Sequence, residues 1–166
     1  EGLDAYIDPV NPVHRAIITH GHADHARAGH GEVYATPETM AIMRIRYGDN
    51  HAEKQIELDY GDKMALHRGQ LMFKPAGHIL GSAQAVLDHS NHRSVVSGDY
   101  KRSYDPTCAA LEVTPCDVFV TDATFGLPIF KLFLIHISEL TRLRRISYAV
   151  FCSSKTRLRI SNFLCP

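Results

Sequence analysis

The chain has 166 residues and is 45% hydrophobic, enough to bury one core but hardly two, so a single domain is expected. Its 18 basic and 18 acidic side chains cancel, and bulk charge gives no reason to expect a nucleic-acid partner without a local basic patch. No run approaches the roughly 18 apolar residues of a membrane span, and no signal pattern opens the chain. Its four cysteines, scattered without a CxxC pair, argue against a thiolate zinc site or a disulfide framework. A reduced, cytoplasmic chain is the expectation. The sequence opens without Met, as a fragment would, and its 11 histidines make metal chemistry worth testing.

In chain order, the predicted elements are short strands with interspersed helices. Residues 15–19 read as a buried strand because Ala16, Ile17 and Ile18 are contiguous and apolar, and residues 23–29 can begin a helix behind it. Residues 33–35 are a second short strand. TPETMAIMRIRYG is a helix, with Thr36 as N-cap, Pro37 in the first turn and Gly48 as the stop. Its Met40, Met43 and Tyr47 share one face, a core stripe rather than a ligand box. From Lys54 onward strands dominate. KQIELDYGDKMALHRGQLMFKPA has turn signals at Tyr60-Gly61-Asp62 and Arg68-Gly69, SAQAVLDHSNHRSVVSGD turns near Ser90-Asn91, and DVFVTDATFG adds one strand. Adjacent strands of this kind read as hairpins, so the expectation is a mixed-sheet sandwich with helices outside rather than a purely parallel doubly wound sheet.

IITHGHADHARAGHG places four histidines and an aspartate within residues 20–30, at the predicted strand-to-helix turn. Alternate residues of a turn can point the same way, so His20 and His22 can offer two ring nitrogens to one metal while Asp24 and His25 face a neighbouring one. Solvated surface histidines are the plain alternative. A metal held by adjacent residues alone is poorly enclosed, so further ligands must come from elsewhere. His78, in PAGHILGS, follows a predicted strand and stands between two glycines that let the backbone bend sharply. Asp99, in VVSGDY, ends another apolar strand, so its carboxylate would emerge at a sheet edge. With the cluster, these two complete a binuclear site.

The motifs YIDP, THGHADH, PAGHILGSAQ, SGDYKR and DATFGLPIF, in this order, resemble the β-CASP nuclease branch of metallo-β-lactamase-fold hydrolases. They are most similar to the bacterial ligase-associated DNA exonucleases, over Tyr6 to Phe130. The resemblance implies an α/β fold, the N-terminal half of a metallo-β-lactamase-like αββα sandwich, over residues 1–130 up to the start of the β-CASP insert. It implies two zinc ions: His20, His22 and His78 would hold one, Asp24 and His25 the other, and Asp99 would bridge them. Asp8 would support the site from behind a ligating histidine. Asp122 matches the acidic residue that opens the insert, with a strand-end cap as the even alternative. Asp24, Asp99 and Asp122 are thus the candidate catalytic carboxylates. Lys101 and Arg102, just past Asp99, are candidate phosphate contacts, or else a solvated basic turn. The implied activity is phosphodiester hydrolysis, with DNA as substrate and RNA as the alternative, in association with a DNA ligase and a helicase and with no membrane partner. Thioester or lactam hydrolysis on the same fold, and a non-catalytic binding module, are the rivals.

After Phe130 the family order stops. Relatives should continue into a helical cap and return to the sheet with further histidines, one completing the second metal site. KLFLIHISELTRLRRISYAVFCSSKTRLRISNFLCP matches none of this and resembles peptides translated from sequencing-adapter DNA. Residues 131–166 are therefore expected to be foreign to the domain, with His136 no ligand and Arg142, Arg144, Arg145, Lys155, Arg157 and Arg159 no nucleic-acid patch. The second zinc site is expected to be incomplete in this chain, and the chain itself poorly soluble and almost inactive.

Overall fold

A computed structural model of the chain describes residues 4–121 and the backbone of residues 147–150. The expectations for Asp122, for His136 and for the basic residues of the tail lie outside the described residues.

Two sheets face each other. The first holds β1 (Tyr6–Ile7), β2 (Arg15–Ile17), β3 (His30–Ala35) and β4 (Ala52–Glu57) in that order, all parallel. The second runs β10-β9-β8-β7-β6-β5, from β5 (Lys63–Leu66), β6 (Gly69–Pro75), β7 (Ala83–His89), β8 (His92–Val96), β9 (Val118–Thr121) and β10 (Ser147–Val150). From β5 to β8 the pairing is antiparallel, and β8, β9 and β10 are parallel. Helix α1 (Pro37–Tyr47) connects β3 to β4.

The burial pattern explains this layering. Ala16 and Ile17 point to opposite faces of β2, and both faces are covered, which is why the strand reads as an unbroken apolar run. Ile17 and Tyr34 meet Leu71, Phe73, Ala83, Ala85 and Leu87 of the second sheet in the layer between sheets. Ala16, Val33 and Ala35 pack on the other side against Met40 and Met43 of α1. The helix starts as its sequence dictates. The Thr36 hydroxyl accepts from Thr39 N–H, Pro37 opens the first turn, and Gly48, at φ 84°, ends the helix by donating to the Arg44 carbonyl. In the β7–β8 hairpin, Ser90 and Asn91 both take positive φ, 46° and 66°, as a two-residue turn of the primed type requires.

Two expectations need correction. Residues 23–29 are not helical: His22 O accepts from His25 N and Ala26 N in one isolated turn, and the chain then enters β3 at His30. The parallel β2–β3 connection must travel back along a strand of about 20 Å, whereas seven helical residues would cover only about 10 Å. Tyr47 is not in the core with Met40 and Met43: it is 38% exposed, with its hydroxyl donating to the Ala26 carbonyl at 2.9 Å. The expected hairpins and mixed pairing are found in the second sheet, and the first sheet is wholly parallel. No helix among the described residues is long and apolar enough to cross a membrane.

Candidate metal centre

Three loops converge: the one after β2, the one between β6 and β7, and the one after β8. Each is shaped by a tight backbone contact. Gly77, at φ 74°, lies so close to the next segment that a Cβ there would sit 2.4 Å from Lys101 O. Gly98, at φ 54°, leaves no room for a Cβ against Thr19 Oγ1, 2.6 Å away, and so presses the Asp99 loop onto the His20 loop. Ser82 Oγ accepts from His78 N and Ile79 N at 3.0 and 3.2 Å, closing the turn that presents His78.

Behind the histidines stands Asp8, at φ 45°, a conformation that aspartate tolerates. Its Oδ1 accepts from Thr19 N at 2.8 Å, and its Oδ2 accepts from Thr19 Oγ1 at 2.6 Å and from His25 Nδ1 at 2.8 Å. Because a carboxylate only accepts, the Thr19 hydroxyl spends its single proton there and must accept at its 3.0 Å contact with His20 Nδ1. His20 therefore carries its proton on Nδ1 and turns a bare Nε2 into the cluster. His25, donating from Nδ1 to Asp8, likewise points Nε2 away from it. Burial above all, with the nearby His25 charge adding to it, pushes the His20 pKa down to about 3, so its ring stays neutral. His78 is also lowered, chiefly by burial. His25 goes the other way, to about 9: burial, the largest single influence, opposes its charge, but the Asp8 hydrogen bond and the charges of Asp8, Asp99 and Asp24 outweigh it.

Four donors then meet. His20 Nε2, His22 Nδ1, His78 Nε2 and an Asp99 oxygen form the one group of three or more convergent metal-ligand atoms among the described residues, all within 4.8 Å of one another. His22 Nδ1 is 3.0 Å from His20 Nε2 and 3.3 Å from His78 Nε2, and Asp99 Oδ2 is 3.7 and 3.5 Å from the last two. Around a tetrahedral ion with bonds of about 2.0–2.1 Å, ligand atoms stand about 3.3–3.4 Å apart. Three histidines and a carboxylate are donors suited to a tetrahedral ion such as zinc, and four of their spacings, from 3.0 to 3.7 Å, lie around that value.

The second oxygen of Asp99, Oδ1, is 3.7 Å from His25 Nε2, and Asp24 Oδ2 is 3.7 Å from the same nitrogen. Asp99 thus faces both groups, while Asp24 and His25 stay outside the tight four-atom set, and the Asp24 side chain is 77% exposed. Lys101 lies beside Gly77, its N–H donating to Ala76 O at 3.0 Å, and its ammonium pairs with Asp105 at 3.0 Å. Arg102 is exposed in the same loop. Sequence reasoning missed Thr19, which joins Asp8 to His20. Its place directly before the first histidine of the motif was the available signal.

No family model matches the chain. Among curated proteins it is similar to one named "Probable DNA ligase" from Opitutus terrae, at 34% identity over 132 residues that cover 76% of this chain and 12% of that protein. It is similar to "Endoribonuclease YSH1" of Mycosarcoma maydis, at 28% identity over 145 residues, 66% of this chain and 16% of the relative. It is also similar to an "RNase J-like protein" of Methanocaldococcus jannaschii, at 28% identity over 138 residues, 70% of this chain and 33% of the relative. The chain therefore spans only about an eighth to a third of the length of these relatives.

Proposed function

We propose that this chain carries the metal-binding half of a zinc-dependent phosphodiester hydrolase of the metallo-β-lactamase fold and β-CASP branch. The observation that supports it most is the convergence of His20 Nε2, His22 Nδ1, His78 Nε2 and Asp99 within 4.8 Å. His20, His22, His78 and Asp99 would hold one ion, and Asp24 and His25, with Asp99 shared, a second. Asp24 and Asp99 are the candidate catalytic carboxylates, together with Asp122. Zinc in such a site lowers the pKa of bound water toward about 7 and offsets charge on phosphoryl oxygens. The chain's own groups supply the rest. Asp8 and Thr19 fix His20 in the ligating tautomer, Asp8 orients the His25 ring, and Asp99 faces both groups of donors. Lys101 and Arg102 stand on the loop just past Asp99, where a phosphate backbone would need cations.

DNA is the substrate we favour, because identity is 34% to the protein named a DNA ligase and 28% to the two named for ribonuclease activity. Action from a strand end and association with a ligase belong to the same reading, and RNA cleavage is the alternative. The test uses end-labelled single-stranded DNA and an RNA of the same sequence. Each is incubated with this chain and with the chain rejoined to a family-like second half, with and without chelator. Chelator-sensitive DNA shortening by the rejoined protein, and little by the chain alone, is the expected result. Preference for RNA overturns the substrate, and activity that survives chelation overturns the metal mechanism.

A further inference from the structure

Helix α1 touches both loops that carry the clustered histidines, one near each end. At its N-terminal turn, the hydroxyls of Thr36 and Thr39 both donate to the carbonyl of Gly81, at 2.7 and 3.0 Å. Both threonines are buried, at 1% and 0% exposure. Gly81 takes φ 75°, and a Cβ there would lie 2.8 Å from Glu38 Cβ and Thr39 N and 2.9 Å from Thr36 Oγ1, so this loop is seated on the helix as closely as backbone allows. The next residue is Ser82, whose Oγ holds the His78 and Ile79 amides, so the seating passes directly to the ligand.

Two turns further on, the helix grips the other loop. Arg46 Nη2 donates to the Gly21 carbonyl at 2.8 Å, and the Ile42 side chain fills the place of the missing Gly21 Cβ, 2.9 Å from where it would stand. Gly21 lies between His20 and His22. The roots of the two loops are already tied to each other, Ala83 N donating to Thr19 O at 2.7 Å. The helix contacts act further out, nearer the ligating side chains. Thr36 also caps the helix, but the Thr39 hydroxyl and Arg46 are not needed to make one: Thr is an indifferent helix former inside the first turn, and Arg46 is an exposed side chain.

We propose that α1 is a bracket for the site, in which the roughly 10 Å of rigid helix between Thr39 and Arg46 sets the separation of loops 20–22 and 77–82. Thr36, Thr39 and Arg46 are positioning residues that touch no ligand atom. The bracket holds three imidazole nitrogens at 3.0 and 3.3 Å spacing, where a site built on loops alone would be too loose to select one geometry. This inference rests on the proposed metal-binding reading for its consequence, but not for its structure, and the test separates the two.

The test uses the full chain with Arg46→Ala, Thr39→Val and the conservative Thr39→Ser. Amide hydrogen exchange is measured on the metal-free protein, and cobalt(II) affinity with its visible spectrum on the loaded one. Thr39→Val should quicken exchange at His78 and Ile79, and Arg46→Ala at His25 and Ala26, whose amides donate to the His22 carbonyl beside Gly21, each by about tenfold. Amides of β6 and β7 should keep their protection, and Thr39→Ser should behave as the parent. Both disruptive variants should bind cobalt about 10-fold more weakly, the lower end of losses from residues behind a ligand, with altered ligand-field bands. Unchanged exchange in both loops overturns the bracket whatever the metal does. Quickened exchange with parental cobalt affinity and spectrum overturns its control of the site. A parent chain that takes up no cobalt refutes the metal-binding reading, while exchange still decides the bracket.

Discussion

Changing Asp8 by a single atom, to Asn, should reverse the His20 tautomer and strip the Nδ1 proton from His25 at once. Thr19 N–H is a fixed donor at 2.8 Å from Asp8 Oδ1, so the new carboxamide must keep its oxygen there and put its NH2 where Oδ2 accepted from Thr19 Oγ1 and His25 Nδ1. Those two groups can meet a donor only by becoming acceptors. His25 then carries its proton on Nε2, facing Asp99, and the freed Thr19 proton turns to His20 Nδ1, moving the His20 proton to Nε2 as well. Both rings would present N–H where a metal needs a lone pair. Hydrogen bonds to a charged group are worth about 1.5–3 kcal/mol each. Asp8→Asn weakens two of the three and should lower stability by about 2–3 kcal/mol. Asp8→Ala strands both Thr19 donors, on a residue only 1% exposed, and should cost about 3–6 kcal/mol, near the lower end of a whole domain's stability. Denaturant titration in chelator reads these changes. Long-range nitrogen NMR of the imidazoles reads the tautomers, and metal titration should show a loss of about 10 to 100-fold in Asp8→Asn. A folded Asp8→Asn protein that keeps both protons on Nδ1 and the parental affinity would refute the relay.

Asp99→Ala should lose more bound metal per chain than Asp8→Ala in elemental analysis, because the two Asp99 oxygens face His20 and His78 on one side and His25 on the other; equal losses would remove Asp99 from its shared position. Gly77→Ala should lower the denaturation midpoint by an amount equivalent to about 3 kcal/mol or more, since it adds left-handed strain at φ 74° to a Cβ 2.4 Å from backbone oxygen; a change under about 1 kcal/mol would contradict the close approach. His30, buried and accepting from Val13 N through Nδ1, is held below its ordinary pKa by burial. The unfolded chain therefore takes up its proton first, so His30 withdraws stability as pH falls below about 6.5. His30→Gln should flatten the decline in stability below about pH 6.5, and an unaltered slope would show that the ring is not kept neutral.

The parts of this molecule that could be read in advance are those encoded by neighbours in sequence. His20, His22, Asp24 and His25 fall in one turn, so their spacing alone places them together. His78 and Asp99 were legible because each follows an apolar strand and is reached through a glycine at positive φ, 74° at Gly77 and 54° at Gly98. The helix boundaries were legible from Thr36, Pro37 and Gly48. What escaped depends on distance. Whether β2 pairs parallel or antiparallel to β3 is not written in Ala16, Ile17 and Ile18, whose apolar run records only that both faces are covered. The false helix at 23–29 had a plausible local pattern and was excluded by the length of strand the chain had to re-cross. The contacts of Thr39 with Gly81 and of Arg46 with Gly21 join positions 42 and 25 residues apart, and each donor is an ordinary helix residue when read alone. A sequence thus shows which groups can bind a metal more readily than it shows what holds those groups at binding distance, because the first follows from chemistry at single positions and the second from packing between segments.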